Sequence, residues 1–185
     1  MTITHDELVT IARRWLSRPW RNVNNSGHGA CSIIVTEIVT GAYENPDALG
    51  FYSGHLTVLI ECKTSRSDFR ADQKKVFRGT PALGMGRQRF YMAPKSLIAV
   101  DELPDGWGLI EVNNGKTRVV KASDFFERNL EAEMYVLTSL ICRLKVENEG
   151  HAYIRRYSSA IDKKHEPKAG FIIQPDILDS DTESQ

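Results

Sequence analysis

The chain has 185 residues, 41% hydrophobic and 26% charged, enough for one domain with its own core and an appendage. Lys plus Arg equals Asp plus Glu at 24 each, so the net charge is zero and any grip on nucleic acid must come from a local patch. No apolar run reaches the length of a membrane span, MTITHDELVTIARRWL lacks the order of a signal peptide, and Cys31, Cys62 and Cys142 form no CxxC pair; the expectation is a cytoplasmic protein with reduced thiols and no membrane contact.

Thr4 and Glu7 form a capping box, and Leu8, Ile11, Ala12, Trp15 and Leu16 then recur at helical spacing, which predicts an amphipathic first helix. Residues 17–30, SRPWRNVNNSGHGA, read as an irregular loop. CSIIVTEIVT is β-branched and predicts a strand with Ile33, Val35, Glu37 and Val39 on one face. After a second pair of strands over 46–63, SRSDFRADQKKVFRG predicts a helix of about four turns capped by Ser65 or Ser67. RFYMAP reads as a strand and GWGLIEVNNGKTRVVKA as a hairpin turning at Asn114-Gly115. A long helix is expected from Ser123 to about Val146, with Phe126, Leu130, Met134, Leu137 and Leu140 at core spacing. The order predicts an α/β (α+β) fold, a mixed central sheet of about five strands flanked by helices. Residues 1–147 would form a single domain and 148–185 a C-terminal arm or partly disordered tail.

The chemistry concentrates in PDALGFYSGHLTVLIECK, residues 46–63. On its second arm Leu56, Val58, Ile60 and Cys62 point one way and Thr57, Leu59, Glu61 and Lys63 the other, so a visibly apolar strand delivers a carboxylate and an amine to its end. A two-residue turn at Ser53-Gly54 would turn Asp47 to the wrong face, whereas a three-residue loop or a bulge near Gly50 sets it beside Glu61. The expectation is that the connection is not a two-residue turn. Two adjacent carboxylates repel and lose hydration, a cost that a hard divalent cation such as Mg²⁺ or Mn²⁺ removes. Lys63 can then assist an attacking water and stabilise charge on phosphorus, and Glu37 on the neighbouring strand is a candidate third acid. Ordinary alternatives exist for each: Asp47 as a turn residue after Pro46, Glu61 with Lys63 as an edge-strand ion pair, Glu37 as a strand-edge carboxylate.

Arg66, Arg70, Lys74 and Arg78 fall four apart and form a basic stripe, either a grip on DNA phosphates or a solvated helix face in which Asp68 and Asp72 pair locally. The glycines of RGTPALGMGRQR permit close approach to a nucleic-acid backbone, or mark a flexible connection. His28, His55, His151 and His165 show no metal-ligand spacing.

The ordered set Glu37, Pro46-Asp47 and Glu61-Cys62-Lys63 resembles the PD-(D/E)xK nuclease superfamily, whose core is a four- or five-stranded mixed sheet between helices. IECKTSRSDFRADQKK, with RFYMAP and ELPDGWGLIEV downstream, is similar to a narrower group of bacterial and phage restriction-endonuclease-like proteins that includes DNA-repair proteins of the MmcB kind; the likeness spans residues 31–122. It implies a metal-dependent DNA endonuclease in repair, recombination or phage DNA processing, with Asp47 and Glu61 as metal ligands and Lys63 as the catalytic lysine. Gln73 with Phe77 resembles a Gln-xxx-Tyr element of some members, with Phe for Tyr. The alternative is a catalytically inactive DNA-binding or protein-interaction module on the same fold. Cleavage of both strands would suit a homodimer, although no segment marks an interface.

Overall fold

The computed structural model describes residues 3–21, 27–28, 30–42, 44–52 and 56–144. The expected arm at 148–185, the Ser53-Gly54 turn, and the side chains of His28, His55, His151 and His165 lie outside the described residues. The chain divides into a unit of Met1–Ile154 and a second of Arg155–Gln185. Among the described residues no helix is long and apolar enough to cross a membrane.

Helix α1 (His5–Leu16) starts with the expected reciprocal cap, Thr4 accepting from the Glu7 amide while the Glu7 carboxylate accepts from the Thr4 amide. The segment read as irregular contains one short antiparallel pair, β1 (Trp20–Arg21) and β2 (Gly27–His28). The main sheet follows as β3 (Ile33–Thr36), β4 (Ala48–Phe51), β5 (Thr57–Cys62), β6 (Gln88–Pro94), β7 (Gly108–Asn113) and β8 (Lys116–Lys121), six strands in sequential order where about five were expected. The first three and the last two pair antiparallel, while β5, β6 and β7 are parallel. The parallel pairs require crossovers. The first carries α2 (Arg66–Asp72) and α3 (Val76–Gly79), and α4 (Leu130–Arg143) closes the fold.

Alternation sorts the strands between two cores. Ala48, Val58, Ile60, Cys62, Phe90, Met92, Ile110 and Val112 pack against Leu8, Ala12, Trp15 and Leu16 of α1. Leu49, Phe51, Leu59, Tyr91 and Leu109 form the other core with Phe69 of α2 and Ala132 and Val136 of α4. Each fully buried Leu or Ile contributes about 1.5–3 kcal/mol relative to exposure, so both faces hold the sheet. Gly50 allows the α1 side to approach closely, since a Cβ there would stand 2.5 Å from Cys31 Sγ.

Three expectations are corrected. The strand at 33–39 ends at Thr36, because Glu37 turns into the left-handed region (φ 49°) as its amide donates to the Asp47 carbonyl. The four-turn helix is two short ones separated at Lys75, whose backbone is extended. On a continuous helix Asp72 and Arg78 would lie about 120° apart; the break lets Arg78 turn back onto Asp72. The last helix begins at Leu130, not Ser123. Residues 122–129 carry no helix and are tied by backbone bonds from Asp124 to Gly106 and from Phe126 to Arg87, and Asn129 caps the helix. Of the expected core set Phe126, Leu137 and Leu140 pack partly buried against the core, while Ala132 and Val136 are buried in it and Leu130 and Met134 are 58% and 60% exposed.

Candidate functional site

The register of β4 with β5 pairs Ala48 with Ile60, and Tyr52 donates its amide to the Leu56 carbonyl. Three residues therefore separate the closing pair, and the register carried one step past Ala48 and Ile60 sets Asp47 opposite Glu61, the parity expected from the sequence. Lys63 follows on the same face as Glu61, and its amide extends the parallel ladder onto the Met92 carbonyl. The three side chains meet at this end of the sheet. Lys63 Nζ donates to Glu61 Oε2 at 2.9 Å and stands 3.9 Å from Asp47 Oδ2. Asp47 Oδ2 also accepts the Cys62 amide at 2.7 Å, which ties the carboxylate to the strand that carries Glu61.

Behind this trio lies a buried network that the sequence did not announce. Arg78 sends Nε to Asp72 Oδ2 at 2.7 Å and Nη1 to Glu44, and its Nη2 lies 3.0 Å from Glu61 Oε1 without a hydrogen aligned on it. Its guanidinium stacks 4.7 Å from the Trp107 ring. Glu44 accepts the Met85 amide at 2.6 Å, and Tyr91 OH donates to Asp72 Oδ2 at 2.7 Å. Lys63 Nζ lies 3.5 Å from Asp72 Oδ1, and Lys75 reaches the same oxygen at 2.7 Å from the rim.

Charge balance explains the electrostatics. Four carboxylates, Glu44, Asp47, Glu61 and Asp72, share the buried cations Lys63 and Arg78 and the rim ammonium of Lys75, which leaves one negative charge over. Asp72 is held well below the usual carboxylate range: burial would raise it, but Arg78 and Lys63 outweigh that. Burial works against the Lys63 ammonium too, yet Glu61, Asp72 and Asp47 hold it above the ordinary lysine range. Asp47 goes the other way, pushed up to about 6 by burial and then by the charge of Glu61, with Lys63 giving only partial relief. The uncompensated charge is thus felt at Asp47, and burial raises Glu44 as well, against the pull of Arg78 and the Met85 amide.

The remaining candidates lie elsewhere. Glu37 is on the rim, 52% exposed, its Oε1 3.7 Å from His5 Nε2, which itself stands 3.6 Å from Asp47 Oδ1. It is not on the apolar strand face expected for it. The basic stripe does not form: Arg66 pairs with Glu102, Arg78 points inward into the network, and only Arg70 and Lys74 stay exposed. The local pairing of Asp72 with Lys75 is present as read, alongside the longer-range partners. Gln73 Nε2 donates to the Glu102 carbonyl at 2.7 Å and so braces a loop. Gly84 and Gly86 are buried, and a Cβ at Gly86 (φ +82°) would stand 2.5 Å from Leu59 Cβ, so this part of the glycine loop packs on β5. Glu44, Asp72, Arg78 in its inward role, Tyr91 and His5 were missed. The only signal for Glu44 was its position three residues before Asp47.

The residues fit a divalent cation at Asp47 and Glu61. Both carboxylates face one end of the sheet, the site carries surplus negative charge, and Glu61 Oε1 is buried with no aligned donor. Among the described residues no three His, Cys, Asp or Glu side chains form a ready-made cage. Mg²⁺ needs none, since it keeps several waters and binds through one or two carboxylates plus substrate oxygens. Cys31 and Cys62 are buried thiols and Cys142 an exposed one, all free. Burial pushes the Cys31 thiol up to about 11, so it packs as an apolar group.

No family model matches the sequence, and no curated protein matches it. Among solved structures, a protein of unknown function from Silicibacter pomeroyi is similar to this chain, with 22% identity over 57% of this chain and 69% of that one and a TM-score of 0.45.

Proposed function

We propose that this chain is a Mg²⁺- or Mn²⁺-dependent DNA endonuclease with a restriction-endonuclease-like core. The observation that carries the reading is the meeting of Asp47, Glu61 and Lys63 at one end of the sheet, with Asp47 left undercompensated. Its sequence counterpart is the ordered PD and ExK pattern on adjacent strands.

Asp47 and Glu61 would hold the cation, which when bound supplies Lewis acidity at the scissile phosphodiester. Lys63 is kept as the ammonium by its three carboxylate neighbours, so its assistance is electrostatic: its N–H groups orient a water or phosphate oxygen and offset negative charge developing on phosphorus. It does not serve as the base. The Cys62 amide fixes Asp47, and the apolar flank of β5 keeps the site on a rigid strand.

The test is cleavage of plasmid, single-stranded and branched DNA with Mg²⁺, Mn²⁺ or chelator, comparing the native chain with Asp47→Ala and Lys63→Ala. Metal-dependent cutting that both substitutions abolish is expected; cutting that survives both undiminished overturns the assignment. A second reading, a non-catalytic DNA-binding module on this fold, is favoured by the burial of Glu61 and Lys63. It requires equal DNA binding with chelator and no cutting.

A further inference from the structure

The Lys63 ammonium has three anionic neighbours that differ in how firmly they are themselves held. Glu61 Oε2 is at 2.9 Å, Asp72 Oδ1 at 3.5 Å and Asp47 Oδ2 at 3.9 Å. Asp72 is locked: its Oδ2 accepts from Arg78 Nε and from Tyr91 OH, both at 2.7 Å. Tyr91 is fixed in turn by stacking 4.6 Å from Trp107 and by an edge contact 5.0 Å from Phe69. Glu61 Oε2 has Lys63 as its aligned donor, and Asp47 has the Cys62 amide.

A cation entering at Asp47 and Glu61 brings a second positive charge to the carboxylates that the Lys63 ammonium faces through Glu61 Oε2 and Asp47 Oδ2. Two positive charges cannot share those oxygens at close range without strong repulsion in a buried site. The ammonium must shift, and its remaining partner within reach is Asp72. With no such partner, a long flexible amine would leave for solvent, taking its charge from the site.

We propose that Asp72 is a positioning residue: it is the anion that retains the Lys63 ammonium inside the site when a divalent cation takes over Glu61 and Asp47. This rests on the reading of Asp47 and Glu61 as the cation-holding pair. Asp72 touches neither substrate nor cation in this role; it acts through Lys63. A consequence follows for Lys75, which shares Asp72 Oδ1 with Lys63 and is 45% exposed: as Lys63 moves onto that oxygen, Lys75 is displaced toward the rim.

The readout is the rate at which a small amine-reactive reagent labels Lys63, followed by mass spectrometry in the full chain. Without metal, Glu61→Gln takes the charge from the 2.9 Å partner and leaves Asp72 as the nearer of the two remaining carboxylates. E61Q/D72N is expected to label roughly tenfold faster at Lys63 than E61Q, as loss of a buried ion-pair partner implies. An unchanged rate overturns the proposal. If the double variant labels faster at every lysine, marking unfolding, the single variant D72N, compared with and without Mn²⁺, decides in its place.

With saturating Mn²⁺, Lys63 stays protected in the native chain and becomes accessible in D72N, whereas D72N without Mn²⁺ stays protected by Glu61. Unfolding would not depend on the metal in that way. Exposure of Lys63 by Mn²⁺ in the native chain overturns the retaining role. Calorimetry separates the two failures: no Mn²⁺ binding to the native chain sinks the cation-holding reading itself, while binding without the D72N difference sinks Asp72 alone.

Discussion

The two ends of the buried charge network differ in how fully each carboxylate is answered. At the inner end Asp72 and Glu44 surround the Arg78 guanidinium, with Tyr91 OH and the Met85 amide filling further acceptor sites. At the outer end Asp47 has one amide, a lysine at 3.9 Å and a partly exposed histidine at 3.6 Å. The same residue type is consequently driven in opposite directions, Asp72 well below the ordinary range and Asp47 up to about 6. Glu44 is itself raised by burial, yet each of its oxygens has a donor; the hydrogen-bonded inner end fixes geometry, and the less fully bonded outer end is where a further cation is stabilised.

The largest effect is expected from breaking the inner end. Arg78→Met removes the cation shared by Asp72, Glu44 and Glu61 and leaves buried carboxylates unpaired. A loss of about 3–5 kcal/mol in urea unfolding follows. A loss under about 1 kcal/mol would mean that the inner end is not what holds these elements together.

The outer end has the opposite sign. Asp47 has its folded pKa raised to about 6 from an ordinary value near 3.9, so its contribution to stability is full at acid pH and is lost as pH rises through about 6. Metal-free protein should lose roughly 2–3 kcal/mol across that window. Asp72, with its pKa depressed, works in a separate window: its contribution is full above about pH 4 and falls only at lower pH. Asp47→Asn is expected to flatten the loss between pH 4 and 6 and to make the metal-free protein more stable than the native chain at about pH 8. Saturating Mn²⁺ should erase the native chain's decline and leave the variant unmoved. Thermal unfolding over pH, with and without metal, decides this.

What was legible in the sequence divides along the same line. The alternation of HLTVLIECK identified the face of Glu61 and Lys63, and the parity of the hairpin linked Asp47 to them, because strand period and register are local rules. The Thr4 and Glu7 cap was equally local. The inner end was not legible. Glu44, Asp72 and Arg78 come from a loop and two helices, and they converge only because the helix breaks at Lys75. A spacing of four between basic residues predicts a stripe only while the helix continues. The start of α4 was missed for a related reason: backbone bonds from Asp124 and Phe126 to distant loops, not any helix-breaking residue, delay it to Leu130.

That break also sets the size of the next effect. If Arg66, Arg70, Lys74 and Arg78 all touched DNA phosphates, neutralising them would lower the slope of log affinity against log salt by about 3.6. With Arg66 paired to Glu102 and Arg78 buried, only Arg70 and Lys74 of these four are available. The variant R70Q/K74Q should reduce the slope by at most about 1.8, measured by DNA-binding titrations over salt. An unchanged slope would remove this segment from the DNA interface altogether.

The smallest effect belongs to Glu37, and it tests where the outer end stops. A direct cation ligand or its immediate support, when neutralised, typically costs 10–100-fold in metal affinity, on the order of 1.4–2.7 kcal/mol. Glu37 is instead 52% exposed beyond the end of β3, and it shares His5 Nε2 with Asp47 at distances of 3.7 and 3.6 Å, too long for hydrogen bonds. An exposed carboxylate acting on Asp47 through a partly exposed histidine is screened by solvent. Glu37→Gln should therefore change Mn²⁺ affinity by less than about threefold and stability by less than about 0.5 kcal/mol. A tenfold loss of Mn²⁺ affinity in calorimetry would extend the outer end to Glu37 and make it the third acid expected beside the pair from the neighbouring strand.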